Sequence, residues 1–159
     1  MNAAAANDAY PIRHAQLEDV PSIYSLLKHY SDKGVLLPRP QSDIYASLRD
    51  FYVVAQGGKI IACAALLIYT KELGEVRSLA VHPAHMKLGL GNKMVRRLEQ
   101  DANHLGLVKL MALTYEVNFF EKMNFEVVAM SALPEKVWGA CINCHKFRNC
   151  DEIAVLKYI

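Results

Sequence analysis

The segment from Leu79 to Asn92 carries the most pointed chemistry in the chain. It reads Leu79-Ala80-Val81-His82-Pro83-Ala84-His85-Met86-Lys87-Leu88-Gly89-Leu90-Gly91-Asn92. An apolar strand stops at His-Pro, a loop follows, and two glycines stand at the mouth of a helical pattern. The first N–H groups of a helix have no acceptor inside it, and the helix dipole is positive at that end. Gly89 and Gly91 carry no side chain, so an anion can come against the backbone. A pyrophosphate suits such a cradle. Gly-x-Gly also serves as a plain tight turn, but the strand before it and the helix after it favour the anion site.

Cys141-Ile142-Asn143-Cys144-His145, with Cys150, is the second constellation. Cys-x-x-Cys-His is the attachment string of haem c. That chemistry needs export, and Met1–Ala9 has neither the basic start nor the apolar stretch of a secretory signal. Three thiolates and His145 make a tetrahedral set for structural zinc, although a second Cys-x-x-Cys knuckle is missing. The favoured reading is no metal: reduced cysteines in a cytoplasmic protein, on a loop packed down by Val137 and Trp138.

Helices and strands must position these residues. Tyr10–His14 is a short strand candidate, and Asp19-Val20-Pro21 opens a helix with Asp19 as its cap. Val20, Ile23, Tyr24, Leu26 and Leu27 give that helix an apolar face, and Lys33-Gly34 ends it. Ser42 begins a second short helix with Ile44, Tyr45 and Leu48 on one side. Phe51–Ala55 and Ile60–Tyr69 are strands joined by the turn Gln56-Gly57-Gly58-Lys59, whose glycines supply positive φ. Glu75–Val81 is the next strand, Leu90–His104 an amphipathic helix stopped by Gly106, and Val108–Leu113 a further strand. Val117–Lys122 is helical, and Phe125–Ala129 and Glu152–Tyr158 are strands. This is an α/β domain with a mixed sheet.

The basic and acidic residues number 18 and 16, so a net charge of +2 gives no reason to expect nucleic acid or an anionic membrane as partner. The longest apolar run, Ile60–Tyr69, is far short of the roughly 20 residues that span a bilayer. With 159 residues, the expectation is one domain over 10–159 behind a disordered tail at 1–9.

The chain resembles the GNAT family of N-acetyltransferases. That family's pyrophosphate loop reads Arg or Gln, two residues, Gly, one residue, Gly or Ala; here it is Met86-Lys87-Leu88-Gly89-Leu90-Gly91. Met86 replaces the usual first residue, the main-chain cradle survives, and Lys87 offers charge nearby. Phe119-Phe120-Glu121-Lys122-Met123-Asn124-Phe125 matches Phe-Tyr-x-Lys-x-Gly-Phe. Phe120 takes the place of the Tyr that often protonates the leaving thiolate, and cannot donate a proton; Tyr115 is a spare candidate. Asn124 replaces Gly, and Asn is the next most tolerant of the left-handed conformation.

Within that family the chain looks most like the acetyltransferase domain of N-acetylglutamate synthases, in a short form. The matching stretches are Gly34-Val35-Leu36-Leu37-Pro38-Arg39, Cys63-Ala64-Ala65-Leu66, Gly74-Glu75-Val76, Leu79-Ala80-Val81, Ala112-Leu113-Thr114 and Leu133-Pro134. Lys136-Val137-Trp138, the two cysteines of Cys-x-x-Cys and Cys150-Asp151-Glu152 fit a short-synthase pattern as well.

The resemblance implies a GNAT fold, a mixed sheet of about six to seven strands flanked by helices. It implies acetyl-CoA as cosubstrate and L-glutamate as acceptor, at the first step of arginine synthesis, with a homodimer common in the family. Leu79, Ala80 and Val81 would pair with the pantetheine arm, and the Leu79 N–H would polarise the thioester carbonyl. Met86, Lys87, Leu88, Gly89, Leu90, Gly91 and Asn92 would hold the pyrophosphate, with Phe120 beside the cofactor. An ammonium is not a nucleophile, so a carboxylate must take its proton, and Glu75 matches that base. Arg39 and Arg148 match the arginines that bind the glutamate carboxylates. Arg77 can face the substrate too, Leu113 would line it through its backbone, and Thr114 would stand near the thiolate. Two alternatives stay open: the same fold acetylating a peptide N-terminus, polyamine or antibiotic, or a non-catalytic sensor of acetyl-CoA or metal.

Overall fold

The computed structural model describes residues 9–133 and 151–159. Its helices are α1 (Val20–Ser31), α2 (Gln41–Ala46), α3 (Leu90–Leu105) and α4 (Val117–Glu121). Its strands are β1 (Arg13–His14), β2 (Phe51–Gln56), β3 (Lys59–Ile68), β4 (Leu73–Val81), β5 (Lys109–Thr114), β6 (Glu126–Val128) and β7 (Ile153–Tyr158). The strands form one mixed sheet in the order β1-β2-β3-β4-β5-β7-β6.

Turn chemistry explains much of this order. Gly57 and Gly58, at φ 58° and 78°, close the β2–β3 hairpin, where both central residues of a tight turn need positive φ. β4 and β5 are parallel, a relationship that requires a crossover, and α3 is that crossover. Gly106, at φ 90°, ends α3, with the Leu107 N–H donating to the Ala102 carbonyl. The β4–β5 register covers Leu73–Lys109, Gly74–Leu110 and Glu75–Met111, while β4 itself runs on to Val81.

The chain divides into two compact units, residues 1–65 with 78–98, and residues 66–77 with 99–159. In the first, Val20, Ile23, Leu26 and Leu27 of α1 bury with Ile44, Phe51, Val53 and Ile60. Each such side chain removed from water contributes about 1.5–3 kcal/mol. In the second, Leu73, Met111, Leu133 and Ala154 form the core, with Tyr69 and Leu113 packed against it. Gly74 sits where a Cβ would meet Leu107 Cδ1 at 2.9 Å, so this β4 position admits no larger residue without displacement.

Two expectations are corrected. Asp19 precedes α1 but does not cap it with its side chain; its carboxylate takes two hydrogen bonds from Arg13, at 2.6 and 3.0 Å, and one from the Gln16 N–H at 2.7 Å. A guanidinium fork and a local N–H outcompete the helix N–H groups for one carboxylate. Tyr45 is exposed, whereas Ile44 is buried, because α2 is only six residues long and turns a narrow face inward. Leu48 falls beyond α2 in a short 3₁₀ turn and still packs on the core.

Candidate functional site

In the first unit, Ser78 stands within β4 at φ 55°. A positive φ in a serine is uncommon, and inside a strand it is rarer still. Cys63 donates its thiol to the Ser78 carbonyl at 3.4 Å, and the Tyr30 hydroxyl donates to the Val81 carbonyl. These bonds fix both ends of the stretch that contains Leu79 and Ala80. Burial pushes the Cys63 thiol up to about 12, against the pull of the backbone at Ala80 and the charge of Arg39. The half-buried Arg39 therefore lies within electrostatic reach of the thiol that donates to Ser78.

Beyond β4, the His82 N–H returns to the Ile61 carbonyl at 2.7 Å and Pro83–His85 makes a 3₁₀ turn. Met86 is extended, Lys87 is left-handed at φ 67°, and Gly89 is left-handed at φ 75°. The Gly89 carbonyl accepts the first helical bond, from the Lys93 N–H at 3.0 Å. Hence the N–H groups of Leu90, Gly91 and Asn92 belong to the opening turn of a 16-residue helix, with no acceptor one turn back. Nothing lies within 4 Å of the point where a Gly89 Cβ would sit. Open space, a left-handed glycine and first-turn donors fit a phosphate group. Gly89 stands ahead of the helix and Gly91 within its first turn, while Met86 and Leu88 are exposed.

The second unit holds a closed ring of three side chains. Glu75 is 3% exposed, and its Oε1 accepts from Arg77 Nε at 2.8 Å. Its Oε2 accepts from the Tyr69 hydroxyl at 3.2 Å, and that hydroxyl accepts from Arg77 Nη2 at 2.9 Å. Residues two apart on a strand share a face, which is why Glu75 and Arg77 meet. Burial works against the Arg77 charge, but Glu75 and Tyr69 more than offset it and hold the guanidinium firmly protonated. A buried carboxylate is tolerated only when paired in this way.

Thr114, at the end of β5, is buried, and its Oγ1 accepts from the Glu116 N–H at 2.7 Å. Leu113 is half-buried against the second core. The Tyr115 hydroxyl donates to Asp151 Oδ1 at 2.5 Å. Phe120 is buried, edge-on to Phe119 and Phe125 at centroid distances of 5.0 and 5.1 Å. Asn124 has φ 70°, the conformation expected of the residue in the family's glycine position.

Sequence reasoning therefore named Glu75 and Arg77 but not that they are joined, and it missed Tyr69 and the positive φ of Ser78. Arg148 and the cluster Cys141, Cys144, His145 and Cys150 lie outside the described residues. Among the described residues, no three His, Cys, Asp or Glu side chains group as a metal site, and no helix is long and apolar enough to cross a membrane.

β4 carries the buried Glu75 carboxylate, and the chain after it runs through a glycine loop into the long helix α3. The chain belongs to the acetyltransferase (GNAT) family, whose model matches residues 16–125. It is 34% identical to an uncharacterized N-acetyltransferase of Chlorobaculum tepidum over 92% of this chain and 94% of that one. It is 33% identical to the amino-acid acetyltransferase of Mycobacterium tuberculosis, over 80% of this chain and 74% of the relative. Against the amino-acid acetyltransferase of Pseudomonas aeruginosa the identity is 34%, and the match spans only 29% of that longer protein. A Mycobacterium tuberculosis structure solved with CoA aligns with a TM-score of 0.79 at 28% identity, over 94% of this chain and 99% of that one. The fold is also that of the Neisseria gonorrhoeae N-acetylglutamate synthase, with a TM-score of 0.83 at 23% identity, over 94% of this chain and 35% of that one.

Proposed function

We propose that this protein transfers the acetyl group of acetyl-CoA to the α-amino group of L-glutamate, the entry reaction of arginine synthesis. The observation that carries the reading is the buried Glu75 carboxylate on β4, four residues before Leu79 on the same strand. Amino-acid acetyltransferases among the relatives, and a neighbouring structure solved with CoA, support the substrate class.

In this reading the first-turn N–H groups after Gly89 hold the pyrophosphate, and backbone groups of Leu79, Ala80 and Val81 take the pantetheine arm. The Leu79 N–H receives the thioester carbonyl oxygen as it becomes an oxyanion. Glu75 takes a proton from the substrate ammonium, the freed amine forms the N–C bond, the C–S bond of the tetrahedral intermediate breaks, and the second proton lost by the nitrogen ends on the departing sulfur as the CoA thiol. Thr114 donates its hydroxyl hydrogen toward the departing thiolate, since its oxygen already accepts from Glu116. Arg39 and Arg148 bind the substrate carboxylates as two-donor forks, and Leu113 presents its backbone to the substrate.

Free-thiol release from acetyl-CoA tests this. Adding glutamate should start release that other amines do not. Release with a polyamine or a peptide N-terminus, and none with glutamate, would keep the acetyltransferase and remove the glutamate assignment.

A further inference from the structure

We propose that Tyr69 is a positioning residue for Glu75, acting through the ring it completes with Arg77; the inference rests on the reading of Glu75 as the base. A carboxylate on a single ion pair still turns about its last bond. Here each oxygen has its own donor, Arg77 Nε on Oε1 and the Tyr69 hydroxyl on Oε2, and the two donors are tied to one another through Arg77 Nη2. Three bonds among three groups fix the carboxylate plane, and such closed networks hold geometry better than their separate pairs.

Tyr69 is itself anchored independently of the ring. Its N–H donates to the Leu73 carbonyl at 2.9 Å, and its side chain packs against the core of Leu73 and Met111. It is a neutral donor, so it orients the carboxylate without adding a second full charge. Arg77, with Nε and Nη2 occupied by Glu75 and Tyr69, serves the base before it serves any substrate carboxylate.

The test is a double-mutant cycle on the full chain, reading kcat and KM for thiol release with glutamate and acetyl-CoA. Tyr69→Phe removes one oxygen and should lower kcat about tenfold to a hundredfold, the scale of a misplaced catalytic group, with the acetyl-CoA KM unchanged. In a Glu75→Gln background the same change should cost nothing further, because its effect passes through Glu75. An unimpaired Tyr69→Phe beside a crippled Glu75→Gln overturns the proposal and leaves the base in place. Losses that multiply in the double variant overturn it as well. A Glu75→Gln enzyme at full kcat removes the base and the proposal together. If Tyr69→Phe fails to fold, Arg77→Lys opens the same ring while keeping the charge, and the same cycle decides.

Discussion

Arg77 Nε lies 2.8 Å from Glu75 Oε1, so the two charged residues that β4 turns to one face are partners. Glu75 is almost wholly buried, and Arg77 supplies the partner that a buried carboxylate needs.

Glu75→Gln keeps the shape and loses the proton acceptor. The expected outcome is a fall in kcat of about a hundredfold to ten-thousandfold with acetyl-CoA affinity nearly unchanged. Steady-state thiol release measures both. An unaltered kcat would take Glu75 out of the role.

Arg39→Ala should raise the KM for glutamate about tenfold to a hundredfold, the scale of lost charge-assisted hydrogen bonds, without moving the KM for acetyl-CoA. Titrating each substrate at saturation of the other separates the two. Equal shifts in both would assign Arg39 to general packing.

Gly89→Ala forces an L-residue into φ 75° and places a methyl group in the open space ahead of α3. About 1–2 kcal/mol of stability should go, and the acetyl-CoA KM should rise while the glutamate KM holds. Chemical unfolding and kinetics on the same preparation give both numbers. An unchanged acetyl-CoA KM would argue against a phosphate at this loop.

Gly74→Ala acts on packing alone. Its methyl would stand 2.9 Å from Leu107 and 3.2 Å from both Leu110 and Leu66, three side chains that crowd one point. A loss of about 1–3 kcal/mol is expected from overpacking, read as a lower urea midpoint.

The Arg13–Asp19 pair sets a pH dependence of stability. Arg13's hydrogen bonds hold the Asp19 carboxyl below its usual range, against the opposing effect of burial. A carboxyl lowered by folding stabilises above its ordinary range, and that stability is lost as the pH falls through its folded value. Asp19→Asn should therefore melt lower at pH 7, by about 1 kcal/mol or less for a pair whose Arg13 reaches solvent, and match the parent in strong acid. A gap that persists at low pH would contradict the ion pair as its source.

Much of the fold was legible because its signals are local. The glycine turn at Gly57-Gly58, the apolar stripe of α3 and the left-handed Asn124 each depend on neighbours in sequence. Ser78 was not legible: no residue near it demands a positive φ, and its carbonyl accepts from Cys63 of another strand. Tyr69 was hidden for a related reason. Its partnership with Glu75 and Arg77 depends on where the return from β3 to β4 carries a phenol, and nothing in the spacing of those residues states that. Asp19 misled because its rival partner, Arg13, reaches it from β1.

Acetyl transfer to glutamate is tested most directly by product identity. The protein would be incubated with acetyl-CoA and an equimolar mixture of the standard amino acids, and the products read by mass. Glutamate should gain one acetyl group, far ahead of the others, with one CoA thiol released for each. Acetylation of a different amino acid, or thiol release with no acetylated glutamate, would contradict it.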